Sequence, residues 1–285
     1  RAGELSKPGV LADYLNEYED FEGTQNFLNA LQNYPLLKGQ QTNLFKCFIT
    51  RAWELNSPTG VTGFLHPEGV YDDPKAGTLR RMLYPRLRYH LQFQNGMFLF
   101  AEVAHRSKFS VNVYAQPQSP IAFLTLSNLF AVSTVDACFD HSGHGLVPGI
   151  KSGGDEDDDT CARWTVIGHQ DRIISVDEET LALFALLYDE KDTPFNEARL
   201  PALHAVQLVK VLRKFSEYPI RLGSLGNYYA SREMWHETNA QKDGTIRRET
   251  RFPENTDELI LSGPHFFVGN PCYKTPRTVC TEKSD

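Results

Sequence analysis

The sequence predicts an α/β protein, and the stretch from Thr50 to Tyr114 carries most of that prediction. Within it, helical runs alternate with apolar, strand-like runs: FITRAWELNSPTG, VTGFLHPEGVY, GTLRRMLYPRLR, YHLQFQN and FSVNVYA. Helices and strands that alternate at this density are typical of half a parallel sheet with helices packed on it. Because such sheets bind ligands beyond the carboxyl ends of their strands, the residues directly after Leu65 are the first candidates for a site.

The bulk composition is that of an ordinary globular protein. A chain of 285 residues with 41% hydrophobic and 23% charged residues is long enough for one large domain or two of usual size. No apolar run approaches the roughly 18 to 20 residues of a membrane helix, and no signal-peptide pattern is visible, so we expect no membrane partner. The net charge of -7 argues against a generally basic nucleic-acid binder, although much of the acidity lies between Asp155 and Asp159.

The cysteines and histidines raise the question of a metal. The five cysteines are odd in number and include no CxxC pair, which favours a reduced, cytoplasmic protein. A zinc ion would have to use Cys138, His141, His144, Cys161 and His169, a set that opens with a CxxH pair. The spacing from Cys161 to His169 is too wide for the second ligand pair of a tetrahedral site, so we expect no metal and interpret these histidines as part of a glycine-rich loop.

Two helices are predicted before the first strand. The first forty residues are mostly polar helix, with an apolar face that includes Phe27 and Tyr34. The helix that begins at Gln41 has an apolar stripe wide enough to lie on a sheet. The run from Val61 to Leu65 is too apolar for an exposed strand, which predicts an internal one.

Beyond Tyr114 the pattern changes. Residues 117–175 contain the apolar run IAFLTLSNLFAV, either a strand or a short helix beside the sheet, and their glycine- and aspartate-rich remainder predicts an irregular insertion. Residues 176–220 contain two strong apolar-striped helices and predict a helical connector. Residues 221–285 mix aromatic, amide and basic residues with many turn formers, which predicts a region of mixed structure.

Three features follow one another in a fixed order within the central stretch. A strand ends in a Leu-x-Pro turn at Phe64 to Pro67, and a helix of the type Leu-Arg-x-x-Leu follows at Leu79 to Leu83. A loop with a phenylalanine at its mouth then leads to a serine-bearing last strand, over Leu99 to Val111. In order and spacing this unit resembles the second half of the catalytic domain in γ-class N6-adenine DNA methyltransferases, the kind found in type IIG restriction enzymes and phage-defence systems.

The resemblance implies a partial Rossmann-like methyltransferase sheet. Residues 1–116 would be the later half of the catalytic domain with its preceding helices, and residues 221–285 the start of the target-recognition region. The full enzyme would use S-adenosylmethionine as cofactor and double-stranded DNA as partner, beside the remaining domains of the parent chain and other subunits of a defence system.

Two hallmarks of that family do not occur before Thr50. They are the glycine-rich loop that holds S-adenosylmethionine and the catalytic Asn-Pro-Pro-aromatic motif. We therefore expect both to lie upstream of Arg1 in a longer protein, so that the cofactor is bound mainly by residues outside this sequence. The chain alone is then expected to be catalytically silent.

The same resemblance implies a base pocket. Its wall would comprise His66, Pro67, Glu68, Phe100 and His105. Stacking of an aromatic side chain on a base contributes roughly 1 to 3 kcal/mol. The alternative is purely structural, with a proline turn that stops the strand and a phenylalanine that fills the core.

A variant of the catalytic motif occurs late in the chain, at Asn270-Pro271-Cys272-Tyr273. In this motif the asparagine side chain and the proline carbonyl accept hydrogen bonds from the adenine amino group, and the aromatic ring stacks on the extruded base. Asn270, Pro271 and Tyr273 are therefore catalytic candidates, although the motif follows the segment that it should precede. The alternative is an Asn-Pro turn after a strand.

Basic side chains with interleaved aromatics lie in the last quarter of the chain and are candidates for contacts with DNA phosphates and bases. They are Trp235, His236, Lys242, Arg247, Arg248, Lys274 and Arg277. Acidic residues among them, such as Glu237 and Asp243, leave open an ordinary salt-bridged surface. For the whole chain, the alternative to a methyltransferase is a non-catalytic DNA-binding or assembly module of a defence complex.

Overall fold

The computed structural model describes residues 7, 9–41, 43–152, 163–218, 220, 222–228, 237–245, 247 and 255. The chain divides into two compact units, Arg1–Pro219 and Ile220–Asp285. The sheet and the candidate site belong to the first unit.

A five-stranded mixed sheet forms the centre of the first unit. Its strands are β1 (Thr62–Pro67), β2 (Leu87–Gln94), β3 (Lys108–Tyr114), β4 (Ala122–Leu129) and β7 (Ile174–Asp177), in the spatial order β1-β3-β2-β4-β7. β2 and β4 are parallel, whereas the other three neighbouring pairs are antiparallel. Two short strands, β5 (Lys151–Ser152) and β6 (Arg163–Trp164), form a separate antiparallel pair.

The predicted α/β class is confirmed, but the expectation of a parallel sheet is wrong for most strand pairs. β3 returns antiparallel between β1 and β2, because the loop that precedes it contains no crossover helix. β1 is an edge strand among the described residues and leaves Leu65 52% exposed, so the prediction of an internal strand is also wrong. An apolar sequence indicates burial and does not by itself specify a strand's neighbours.

Seven α-helices are described in the first unit, and short 3-10 turns connect several of them. The helices are α1 (Val10–Asn29), α2 (Leu44–Leu55), α3 (Gly69–Asp72), α4 (Gly77–Leu83), α5 (Ser133–Phe139), α6 (Glu178–Tyr188) and α7 (Val206–Glu217). They include both helices predicted before the first strand and both helices predicted between residues 176 and 220.

The ends of the principal helices follow from local side-chain chemistry. The Asn43 side chain accepts a hydrogen bond from the Phe45 backbone N–H over 3.4 Å and so begins α2. At α6, Asp177 accepts from the Thr180 backbone N–H over 2.8 Å. Acidic Glu178 and Glu179 in the first turn of α6 suit the positive end of the helix dipole.

Residues 117–175 are more regular than the irregular insertion that the sequence predicts. The apolar run in this segment forms β4, which extends the sheet beside β2, and α5 follows it. Side chains of β4 are buried on both faces, as Phe123 and Leu126 illustrate. A strand covered on both faces lacks the clean polar alternation that identifies a strand in sequence.

The two faces of the sheet carry different chemistry. Successive side chains of a strand point to opposite faces, so Leu91 and Phe93 of β2 join one apolar cluster with Leu126. His90 and Gln92 occupy the other face, where both are buried. A larger apolar cluster joins α2, α3, α4 and α6 to the sheet.

In the second unit, the described residues form a 3-10 segment (Leu222–Tyr228) and the short helix α8 (Glu237–Asp243). Across the described part of the chain, none of the helices has both the length and the apolar character that crossing a membrane requires.

Candidate functional site

A cavity of about 440 Å³ opens at the carboxyl end of β1. It lies between that strand end and the N-terminal end of α2, and its size suits a small molecule. Three other cavities, of about 290, 340 and 510 Å³, include no strand-end residue in their walls. The lining of the 440 Å³ cavity comprises Gln41, Asn43, Phe45, Lys46, Pro67, Gly69, Asp72 and Asp73.

The wall of this cavity includes one aromatic ring. Phe45 lies in the first turn of α2, and its ring stacks on the imidazole of His66 with centroids 5.2 Å apart and planes inclined by 14°. Pro67 and Gly69 continue the wall along the turn after β1. These groups offer a flat ligand an apolar surface.

Charged groups also line the cavity. The Lys46 ammonium donates to Gln40 Oε1 over 3.0 Å and pairs with Asp73 Oδ2 at 3.4 Å, so both charges are already partnered. Asp72 is more available, and partial desolvation together with the negative charge of Glu68 raises its pKa. An acidic oxygen beside an aromatic ring suits a planar ligand that carries N–H donors.

His66 is buried and is not part of the lining of this cavity, although the resemblance places it in the wall of a base pocket. Its Nδ1 donates to the Pro67 carbonyl over 2.8 Å, and its Nε2 accepts from Asn112 Nδ2 at 2.9 Å and from Tyr114 Oη at 3.0 Å. Burial lowers the pKa of His66, in keeping with this neutral arrangement. Tyr71 Oη in turn donates to Asn112 Oδ1 over 2.6 Å. Hydrogen bonds therefore connect Tyr71 through Asn112 and His66 to the Pro67 carbonyl.

Glu68, which the resemblance also places in the base pocket, is likewise buried and is not part of the lining of this cavity. Both carboxylate oxygens lie 3.2 Å from His90 Nε2, and Gln92 Nε2 donates to one of them over 2.8 Å. Burial alone would raise the pKa of Glu68, but the charge and hydrogen bond of His90, with those of Ser110 and Gln92, lower it to about 2. His90 Nδ1 also contacts Thr125 Oγ1 at 2.8 Å, which extends the network to β4.

The residues on both sides of Pro67 are therefore anchored to the sheet. The His66 side chain ties the end of β1 to β3, and the Glu68 side chain ties the following turn to β2 and β3. Sequence reasoning missed the supporting side chains His90, Gln92 and Asn112. The signal was present as polar residues at alternate positions of two strands, but that alternation is normally the mark of a solvent-facing surface.

The predicted loop residues lie at the same end of the sheet. Phe100 is 42% exposed, and its ring meets the edge of Phe109 at 5.1 Å. Phe109 is the partner of Pro67 in the pairing of β1 with β3, so the loop adjoins the turn that lines the cavity. His105 is exposed and tilts towards Phe98 at 6.4 Å. Neither Phe100 nor His105 is part of the cavity lining.

Most of the predicted DNA-binding residues lie outside the described residues. Lys242 lies in the last turn of α8, and Arg247 is exposed. The residues that lie outside are Trp235, His236, Arg248, Lys274, Arg277 and the motif residues Asn270, Pro271 and Tyr273.

The residues considered for zinc do not form a described cluster. His141 and His169 have ring centroids 4.2 Å apart, while Cys138 is buried as a free thiol. Cys161 lies outside the described residues. Where the structure describes the chain, no group of three or more His, Cys, Asp and Glu side chains comes together as a metal site would require.

Fold and cavity together define an α/β protein with a candidate small-ligand site at a strand's carboxyl end. Comparison with family models gives no match, and no curated protein matches the chain.

Proposed function

We propose that this chain is part of a site-specific DNA adenine-N6 methyltransferase of a restriction-modification or phage-defence system, and that it supplies the adenine-binding side. The observation that carries the proposal is the 440 Å³ cavity at the carboxyl end of β1, walled by Phe45, Pro67 and Gly69. It coincides with the turn that the family resemblance assigns to the base pocket.

The chemistry of the cavity suits an extruded adenine. The exocyclic nitrogen of adenine is inaccessible to a methyl donor within a duplex, so the base has to leave the stack. The ring of Phe45 offers a stacking surface for that base, and the Asp72 carboxylate offers an acceptor for its amino group. Anchoring of the turn through His66 and Glu68 holds this wall in place, so little ordering is needed when the base enters.

S-adenosylmethionine would supply the methyl group in the proposed reaction. In the described part of the chain no glycine-rich loop follows a strand, so no step through the donor is assigned to these residues. Their proposed roles are to bind and orient the base and to keep the cavity wall rigid.

NMR titration of the labelled chain with 9-methyladenine tests the proposal. We expect saturable shifts at the Gly69 amide and in the Phe45 ring, and we expect Phe45→Ala to abolish them. Leu55→Ala, which removes an exposed side chain at the far end of α2, is the matched control and should leave binding unchanged. Shifts confined to residues away from the cavity would instead favour a non-catalytic DNA-binding module.

A further inference from the structure

The loop between β2 and β3 presents an apolar tip to solvent. Five side chains between positions 97 and 103 are 39 to 59% exposed, and Phe98 is the most exposed of them. The five are Met97, Phe98, Leu99, Phe100 and Val103. A contiguous group of exposed apolar side chains commonly marks a surface that binds something.

The tip is held in shape by one buried side chain. Asn95 is fully buried, and its Nδ2 donates to the carbonyls of Phe100 and Val103 over 2.8 and 2.7 Å. Its Oδ1 accepts from the Phe100 backbone N–H over 3.0 Å, and its own N–H donates to the Ser107 carbonyl over 3.0 Å. The loop is thus organised before any partner arrives.

Phe98 adopts a left-handed backbone conformation, with φ of 53°. This region is unfavourable for bulky side chains, and such residues concentrate at functional sites. Glycine at this position would satisfy the backbone at lower cost. A phenylalanine therefore occupies a position that local backbone preference disfavours.

Two cationic side chains, Arg106 and Lys108, follow the tip in the chain, and the tip adjoins the candidate cavity. His105 and Arg106 follow the tip as exposed residues, and Lys108 begins β3. The charge of Lys108 acts on Asp72 of the cavity wall and lowers its pKa, a smaller effect than the desolvation that raises it. Against these groups the loop carries one acid, Glu102.

We propose that this loop is a wedge that enters the base stack of duplex DNA beside the extruded adenine, with Phe98 as the inserting side chain. Proteins that deform DNA insert apolar side chains between base steps, and basic residues around the wedge contact the phosphates. The proposal rests on the proposed function, because the cavity beside the loop is taken as the adenine site. It assigns Phe98 a role separate from stacking on the extruded base.

A duplex with an adenine opposite an abasic site, and 2-aminopurine as the neighbouring base, tests the wedge. We expect the chain to raise 2-aminopurine fluorescence several-fold by unstacking it, and Phe98→Ala to abolish the rise and weaken binding about tenfold. Phe98→Gly should also abolish the rise while it increases the melting temperature of the protein, because it relieves the left-handed strain. Phe215→Ala, at an equally exposed phenylalanine of α7, should change neither signal.

Several results would overturn the wedge. One is an equal rise in 2-aminopurine fluorescence with the wild type and with Phe98→Ala. Another is that the wild type does not bind the duplex. Sedimentation with phosphatidylserine vesicles that depends on Phe98, without unstacking of the duplex, would assign the tip to a membrane instead. If unstacking depends on Phe98 but adenine is bound no better than thymine at the unpaired position, the result contradicts adenine binding in the cavity. It still supports insertion of Phe98 into the base stack.

Discussion

Glu68 and His90 are in buried contact, with both carboxylate oxygens 3.2 Å from His90 Nε2, although 22 positions separate the two residues in the chain. Glu68 opens the turn after β1, and His90 lies in β2. The pair therefore ties the wall of the cavity to a strand two positions away in the sheet. Breaking a buried pair by neutralising one partner is costly because the other is left uncompensated.

Glu68→Gln should accordingly destabilise the protein by about 3 kcal/mol near neutral pH. The pKa of Glu68 is about 2 in the folded protein, below its ordinary value of 4.5. The wild type therefore keeps this stabilisation above pH 4.5 and loses it as the pH falls towards 2, because the unfolded chain takes up the proton first. Urea unfolding between pH 3 and 6 measures both effects, and the variant should have the shallower pH dependence. Equal slopes for the two proteins would contradict the assignment.

His66→Ala should lower stability by about 2 to 4 kcal/mol, since it removes the acceptor that Asn112 Nδ2 and Tyr114 Oη share and the donor to the Pro67 carbonyl. Phe100→Ala removes a half-exposed ring and should cost only about 1 kcal/mol. Thermal unfolding compares the two variants directly. A change at His66 that is no more damaging than the change at Phe100 would mean that His66 is not an anchor.

Arg80→Lys tests the side chain that ties the turns after β1 to the Glu197 segment. The buried Arg80 guanidinium donates to the carbonyls of Val70, Asp73 and Glu197 over 2.7 to 3.0 Å. A lysine ammonium cannot reproduce this fork, so we expect a loss of about 2 to 3 kcal/mol in urea unfolding. The neighbouring Arg81→Lys is the control, because the exposed Arg81 pairs with Glu197 at the surface and should change stability by less than about 1 kcal/mol.

Removing the charges of Arg247 and Arg248 together should reduce the magnitude of the salt slope of DNA binding by about 1.8, if both contact phosphates. The slope of log affinity against log salt concentration is measured on one duplex at four or more salt concentrations. Removal of Lys210 and Lys214, exposed on α7, is the matched control. Identical slopes for the wild type and the Arg247/Arg248 variant would assign the basic set to an ordinary surface.

The elements of the fold could be predicted where one face is apolar. The stripe of Ile49 and Trp53 identifies α2, and the apolar run up to Leu65 identifies β1. Strand direction and order could not be predicted, because hydrophobic periodicity records which side chains are buried and not which strand lies beside them. β4 was uncertain for a related reason, since a strand covered on both faces shows no clean alternation.

The sequence points to the turn at which a cavity lies, but it does not give the directions of the side chains there. Ligand binding at strand ends pointed to the turn after Leu65, where the cavity lies. The directions in which the His66 and Glu68 side chains point could not be predicted, because their partners Asn112 and His90 come from other strands. In sequence, the alternating polar residues of β2 indicate a solvated face, and only the packing of helices over that face buries them. Phe45 belongs to the apolar stripe of α2 in the sequence, and its position in the first turn of that helix brings it to the cavity.

The most direct test of an adenine-binding cavity is the affinity of the chain for two duplexes that differ only in the unpaired base opposite an abasic site. We expect about tenfold tighter binding when that base is adenine than when it is thymine, and we expect Phe45→Ala to remove the preference. Equal affinities for the two duplexes in the wild-type protein would contradict it.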